Sequence, residues 1–301
     1  MAAGVVAPTE TGPGPALQTY RYLRLTLALP AVFLIVATLL EAWNQGAFRQ
    51  SISDSYQGPV RDVFVGALMA SGVCMIAYKG RSKLEDYALN FGGFNTFFVA
   101  LVPNNFTQVL RDAPTGSLGA TGTATREQML TNLRLVLAAF LLVAVVFVVL
   151  DARLMQWSAI RWQNQQPVSN VLVVVSWVAE VVFIVVVGGV LMGWETLFGA
   201  SIFGIVHFAA AGLLIANLSF AVASHAFPDK LRTAADDAPE PPSTQMFYRV
   251  VVALMWLGLL VGGFAIAKNV SYSVLATEYY EIVMFLLFWA VATRHGWNPT
   301  V

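Results

Sequence analysis

An all-α, polytopic transmembrane helix bundle of about eight spans, with both termini cytoplasmic, is the fold class this sequence predicts. Three observations lead there. Hydrophobic residues make up 57% of the chain and charged residues only 11%, with a mean hydropathy of +0.68, whereas a soluble domain carries roughly 25% charge. Apolar stretches of about 18 to 22 residues recur, long enough as helices to cross roughly 30 Å of hydrocarbon, where barrel strands would leave short alternating segments. Finally, eight crossings place eleven of the seventeen Lys and Arg residues on the side of the N-terminus and six opposite. Removing the third crossing divides them nine against eight and erases the bias, so the positive-inside tendency favours eight.

Taken in order, residues 1–19 are small and Pro/Gly-containing, with Glu10 their one charge. They lack the basic start and apolar centre of a cleavable signal and read as a disordered tail. The rest, 20–301, reads as a single bundle with spans near 23–43, 60–79, 84–103, 132–152, 170–192, 200–223, 247–267 and 274–293. Flexible loops are expected near 104–131 and 225–246, the second containing Pro239, Pro241, Pro242 and an acidic run from Asp229 to Glu240 that reads as a solvated linker. Pro59 suits the first position of the second span. The third span, Leu84-Glu85-Asp86-Tyr87-Ala88-Leu89-Asn90 onward, is too polar to face lipid, so it either packs inside the bundle or does not cross. Trp43, Trp157, Trp162, Trp194 and Trp297 fall at span ends, where an amphipathic ring suits headgroup depth. Gly189 with Gly193, Gly258 with Gly262, and Gly66 with Ala70 have the four-residue spacing that lets helix backbones approach in lipid.

Balanced charge, seventeen basic against seventeen acidic residues, gives no reason to expect a nucleic-acid partner. The single cysteine, Cys74, excludes an intrachain disulfide.

Specific strings occur in and before the second and third spans: Ser51-Ile52-Ser53 with Tyr56, Arg61-Asp62-Val63-Phe64-Val65-Gly66, Tyr78-Lys79-Gly80, Glu85-Asp86, Leu89-Asn90, Gly93, and Val99-Ala100-Leu101 with Pro103. In this order they resemble a bacterial family of multi-span membrane proteins with no established activity. The resemblance covers about fifty residues, with weaker matches at His207-Phe208 and Glu281, while 110–195 reads as an insertion. It implies no catalytic assignment. It implies only that the polar positions of spans two, three, six and eight belong together.

An ionisable group at mid-membrane costs about 2.5 to 3.5 kcal/mol on insertion scales, which makes each one a site candidate. Glu180 lies near the centre of the fifth span, as a hydrogen-bonded neutral acid or as a proton or cation site. His207 shares a helical face with Ala200, Gly204 and Ala211, a small-residue stripe that suggests it points inward. Glu278 and Glu281, three residues apart, share one face of the eighth span. Asp62 either complements a helix dipole while Arg61 snorkels to the surface, or looks inward with Gly66 and Ala70. Asp86 and Asn90 form a smaller polar face that would meet Lys79 or Lys83.

Convergence of Glu41, Arg61, Asp62, Glu195, His207, Glu278 and Glu281 in the outer half of the membrane is the leading functional expectation. It describes a cell-membrane protein with an outward-facing polar pocket that binds or transports a small polar molecule, ion or lipid headgroup. A membrane-embedded hydrolase would instead use His207, Asp62 and Glu281 as metal ligands or acid-base groups, but HExxH, GxSxG and phosphate-loop motifs are absent from the sequence. An accessory subunit would use buried charge only to fix helix register and would have a membrane-protein partner. No cofactor is expected beyond a metal on the hydrolase reading, and the lipid bilayer is a partner on every reading.

Overall fold

The computed structural model describes residues 14–113, 124–154, 166–234 and 236–297. Most of the expected tail, residues 114–123 of the first expected loop, and the segment holding Trp157 and Trp162 lie outside these residues. Ten helices occur among them: α1 Pro15–Gln45, α2 Arg61–Ala77, α3 Lys83–Leu101, α4 Phe106–Asp112, α5 Arg126–Leu154, α6 Pro167–Leu191, α7 Ile202–Ala226, α8 Pro228–Leu231, α9 Pro242–Ala267 and α10 Ser273–His295. Six of them, α1, α5, α6, α7, α9 and α10, are long and apolar enough to cross a membrane. The chain is a multi-pass integral membrane protein with an all-α bundle.

Local chemistry sets the helix ends. Proline opens α1, α6, α8 and α9, where its missing N–H costs nothing and its fixed φ is helical already. α1 therefore begins at Pro15, and residues 15–19, expected in the tail, are helical. It ends at Gly46, whose φ of 67° is a left-handed cap. A 3₁₀ turn, Ile52–Gln57, follows, capped by Ser51. Between α6 and α7 a two-residue-strand hairpin, β1 Thr196–Leu197 with β2 Ala200–Ser201, turns on Phe198 and Gly199. Both have positive φ, 53° and 79°, as a tight hairpin turn requires.

The bundle has two ends. α1, α3, α6 and α9 start, and α2, α5, α7 and α10 finish, at what we call the His225 end. Arg24 Nη1 of α1 donates to Ala292 O of α10 there, over 2.6 Å, and Leu84, Val173 and Leu231 form one apolar cluster. At the opposite, Glu278 end, the start of α10 is tied to the segment after α1 by Leu275 N–H donating to Gln50 O over 3.0 Å.

The polar text of α3 is explained by its place. Eleven of its nineteen residues are buried, because it lies at the centre of the bundle between α2 and α7. Gly72 of α2 and Gly93 of α3 meet there, and a Cβ on either would strike the other's carbonyl oxygen. Two apolar clusters flank α3, one with Leu27, Met75, Leu89, Val222 and Trp289, the other with Phe98, Leu137, Phe183, Val187 and Phe203. α2, with seventeen residues, and α3 run between the same two ends as the six long apolar helices. The pair Gly258 and Gly262 of α9 faces α10, where added Cβ atoms would strike Tyr280, Glu281 and Thr277.

Candidate functional site

At the Glu278 end the 3₁₀ turn lies across the bundle mouth, and polar side chains hold it. Ile52 N–H donates to Glu278 Oε2 over 2.6 Å and Ser51 Oγ to Glu278 Oε1 over 2.7 Å. Ser51 Oγ also lies 2.6 Å from Ser53 Oγ. The Ile52 N–H is an orphan donor at the start of the 3₁₀ turn, so the carboxylate of α10 caps it while also holding the Ser51 hydroxyl. Beside it, Glu41 of α1 accepts from Arg49 Nη2 at 2.5 Å, from Gln45 at 3.1 Å and from Ser55 Oγ at 3.4 Å. Tyr279 OH and Thr38 Oγ1 are 2.6 Å apart. Glu41, Arg49, Ser51, Ser55, Thr38 and Tyr279 line a small cavity of about 10 Å³, room for about one water molecule. Asp54 in the same turn accepts from Asn105 at 3.2 Å. Burial raises its pKa, with backbone N–H groups of Ser51 and Gln50 and the Arg49 charge opposing.

Among the groups singled out from the sequence, Glu41 and Glu278 come to this region. Arg61 and Asp62 do not turn inward. Both are exposed in the first turn of α2, Gly66 and Ala70 further along the helix are exposed as well, and Arg61 sits 4.8 Å over the Tyr56 ring. The inward face of α2 is set by Phe64 and Ala67, both buried, and at 100° per residue Asp62 falls on the other side. The alternative of Asp62 beside the bundle axis is thereby corrected to the helix-dipole position. Glu195 pairs instead with Arg126 of α5. His207 is buried, and its Nδ1 lies 2.7 Å from Val102 O, the carbonyl just past the end of α3. The imidazole thus supplies a donor to an unsatisfied helix C-terminal carbonyl. Among the described residues no three His, Cys, Asp or Glu side chains gather as a metal would need, so His207, Asp62 and Glu281 do not assemble as a metal-ligand set.

Two buried acids lie deeper. Glu180 of α6 accepts a hydrogen bond from Asn95 Nδ2 of α3, and one turn away Ser176 donates to Asn217 of α7 over 3.1 Å. Glu281 of α10 is only 5% exposed, and neither carboxyl oxygen has a hydrogen-bond partner among the described residues. Gly258 of α9 makes room for it.

The His225 end holds a cluster that sequence reasoning missed. His225, in the last turn of α7, lies with Nδ1 2.5 Å from Glu240 Oε1 and Nε2 3.2 Å from Glu85 Oε2. Both ring nitrogens face carboxylate oxygens, an arrangement that calls for two N–H donors. Glu240 Oε1 also accepts from Arg81 Nη1 at 2.8 Å, and Arg232 Nη1 stands 3.4 Å from Glu240 Oε2. Glu240, expected in a solvated linker, is 4% exposed. Burial raises its pKa, but His225, Arg232 and Arg81 outweigh that and hold it down at about 2. The segment after α7 thus folds back over the start of α3, with Leu231 and Arg232 buried. Beside this cluster, Arg24 donates to Tyr78 OH over 2.6 Å and to Tyr20 OH over 3.0 Å. The expected meeting of Asp86 with Lys79 is present. One signal was legible in advance: Ser82 and Glu85 have capping-box spacing, and Ser82 Oγ accepts from Glu85 N–H at 3.2 Å.

No protein-family model, curated protein or solved structure matches this chain.

Proposed function

We propose that this is an eight-span protein of the cell membrane with both termini cytoplasmic, whose outward pocket binds or transports a small polar species. The charge bias of the loops supports the orientation, and the end-to-end course of α2 and α3 supports counting them as crossings. On this reading the Glu278 end is external. One observation carries the function: the Glu41 carboxylate, with Arg49, Ser51, Ser55, Thr38 and Tyr279, lines an opening of a water molecule's size, and Glu278 holds Ser51 at its edge. That size favours an ion or a water-sized solute over a lipid headgroup. The strings that resemble the bacterial membrane-protein family fall on this turn and on α2 and α3, and membership of that family is part of the proposal.

Thermal melting of the purified protein against lithium, sodium, potassium, ammonium and small neutral solutes tests the reading. At least one of them raises the melting temperature of the wild type, and the rise is lost in Glu41→Gln. A panel without effect on the wild type ends it.

A structural or accessory role is favoured by a different observation. Glu180, His207 and Glu278 each have a partner on another element that tethers it. That role predicts a membrane-protein partner retained through gentle-detergent isolation.

A further inference from the structure

Hydroxyl hydrogens around the opening at the Glu278 end can be assigned one by one. Thr38 has a single hydroxyl hydrogen, and its Oγ1 donates to the backbone carbonyls of Leu34, at 2.8 Å, and Ile35, at 3.1 Å. Tyr279 OH, 2.6 Å from that oxygen, is therefore the donor of the pair, and the tyrosine oxygen keeps only lone pairs. Ser55 directs its hydrogen to Glu41 Oε2, and Ser51 directs its own to Glu278. Arg49 Nε and Nη2 and Gln45 Nε2 all turn to the other carboxylate oxygen, Glu41 Oε1. Glu41 is buried, yet among the described residues its Oε2 has one donor, Ser55, at a long 3.4 Å.

Glu41, Ser55 and Tyr279 line the opening, and Oε2 and the two hydroxyl oxygens are left with lone pairs and no hydrogen to give. An anion finds no hydroxyl donor there. A divalent metal takes about six or more oxygens, several of them charged, and this opening has one carboxylate, already paired with Arg49. A bare alkali ion has to replace its whole hydration shell with oxygens, which three do not do. A cation that carries its own N–H groups needs only directed acceptors. We propose that the species bound at the Glu278 end is ammonium, donating to Glu41 Oε2, Ser55 Oγ and Tyr279 OH while the carboxylate supplies the opposite charge. With one heavy atom it matches a space of a water molecule's size. This names the ligand of the pocket reading and rests on it.

The test is thermal melting of the full chain in detergent at pH 7, titrated at constant ionic strength with ammonium, lithium, sodium, potassium and tetramethylammonium chlorides and with small neutral solutes. Potassium matches ammonium in charge and nearly in size but has no hydrogen to donate, so that comparison isolates the N–H bonds. Ammonium raises the melting temperature of the wild type, about ten times more potassium is needed for the same rise, and tetramethylammonium has no effect. Ser55→Ala removes one acceptor, leaves the carboxylate in place, and raises the half-saturating ammonium concentration about tenfold, the scale of one charge-assisted hydrogen bond. Tyr279→Phe does the same from α10, so a packing defect in the 3₁₀ turn cannot account for both.

The proposal is overturned, and the pocket reading left standing, if lithium, sodium or potassium stabilises as well as ammonium or if a neutral solute alone acts. The same holds if either Ser55→Ala or Tyr279→Phe leaves the ammonium titration unmoved. A wild type indifferent to the whole panel ends both.

Discussion

Replacing Glu240 by Gln should remove an acid-dependent part of the protein's stability. The amide is nearly isosteric with the protonated acid, so the substitution reports what ionisation contributes. Glu240 is drawn from an ordinary value of 4.5 to about 2. Burial opposes ionisation there, but His225, Arg232 and Arg81 more than compensate. At about 1.4 kcal/mol per pKa unit this amounts to about 3 kcal/mol at pH 7. Because the folded-state value is depressed, the contribution is complete above the unfolded value and disappears as pH falls toward the folded one. About 1 kcal/mol of it remains at pH 3. Thermal unfolding in detergent, followed by tryptophan fluorescence between pH 7 and pH 3, measures the difference. The gap between wild type and Glu240→Gln is widest at neutral pH and narrows on acidification. A gap that stays constant across that range would refute the electrostatic account of this end, leaving Glu240 as mere packing.

Two further outcomes follow from close contacts. Gly258→Ala should lower stability by about 1 to 3 kcal/mol, the scale of overpacking, since its Cβ would enter the space of the Tyr280 ring and Glu281. Gly263→Ala, with nothing within 4 Å of its added Cβ, is the neutral control in the same melting assay. His207→Ala should cost about 1 to 3 kcal/mol by leaving the Val102 carbonyl without its donor. Metal analysis should read the same for that variant as for the wild type, and a loss of bound metal would revive the hydrolase reading.

The bundle was legible because lipid imposes one rule on every crossing helix: long apolar runs with backbone bonds satisfied internally. The centre of each long helix follows from that rule, while the polarity of α3 left it either packed inside the bundle or not crossing, and its burial between α2 and α7 chooses the interior position. The site was less legible. Glu41 and Glu278 were singled out by depth, but their partners Ser51 and Ile52 depend on how the chain folds back between α1 and α2, which hydropathy does not encode. Asp62 was ambiguous because a four-residue stripe of small residues fits either face, and only the burial of Phe64 and Ala67 chooses between them. The cluster around His225 escaped for a related reason. Prolines and acids after α7 have the composition of a solvated linker, and the buried position of Glu240 comes from long-range pairing with Arg81 and His225.

The central position of α3 bears on how the protein is made. On the eight-crossing reading, a segment carrying Glu85, Asp86, Asn90 and Asn95 emerges from the ribosome with α2 as a neighbour, but α7 begins only at Ile202. Through the synthesis of α5 and α6 one flank of α3 waits for its partner. The glycine contact between Gly72 and Gly93 gives α2 and α3 a means of entering as a helical hairpin, the more apolar arm escorting the other. Biogenesis of this chain is then sensitive to Gly72 and Gly93 before any mature contact with α7 exists.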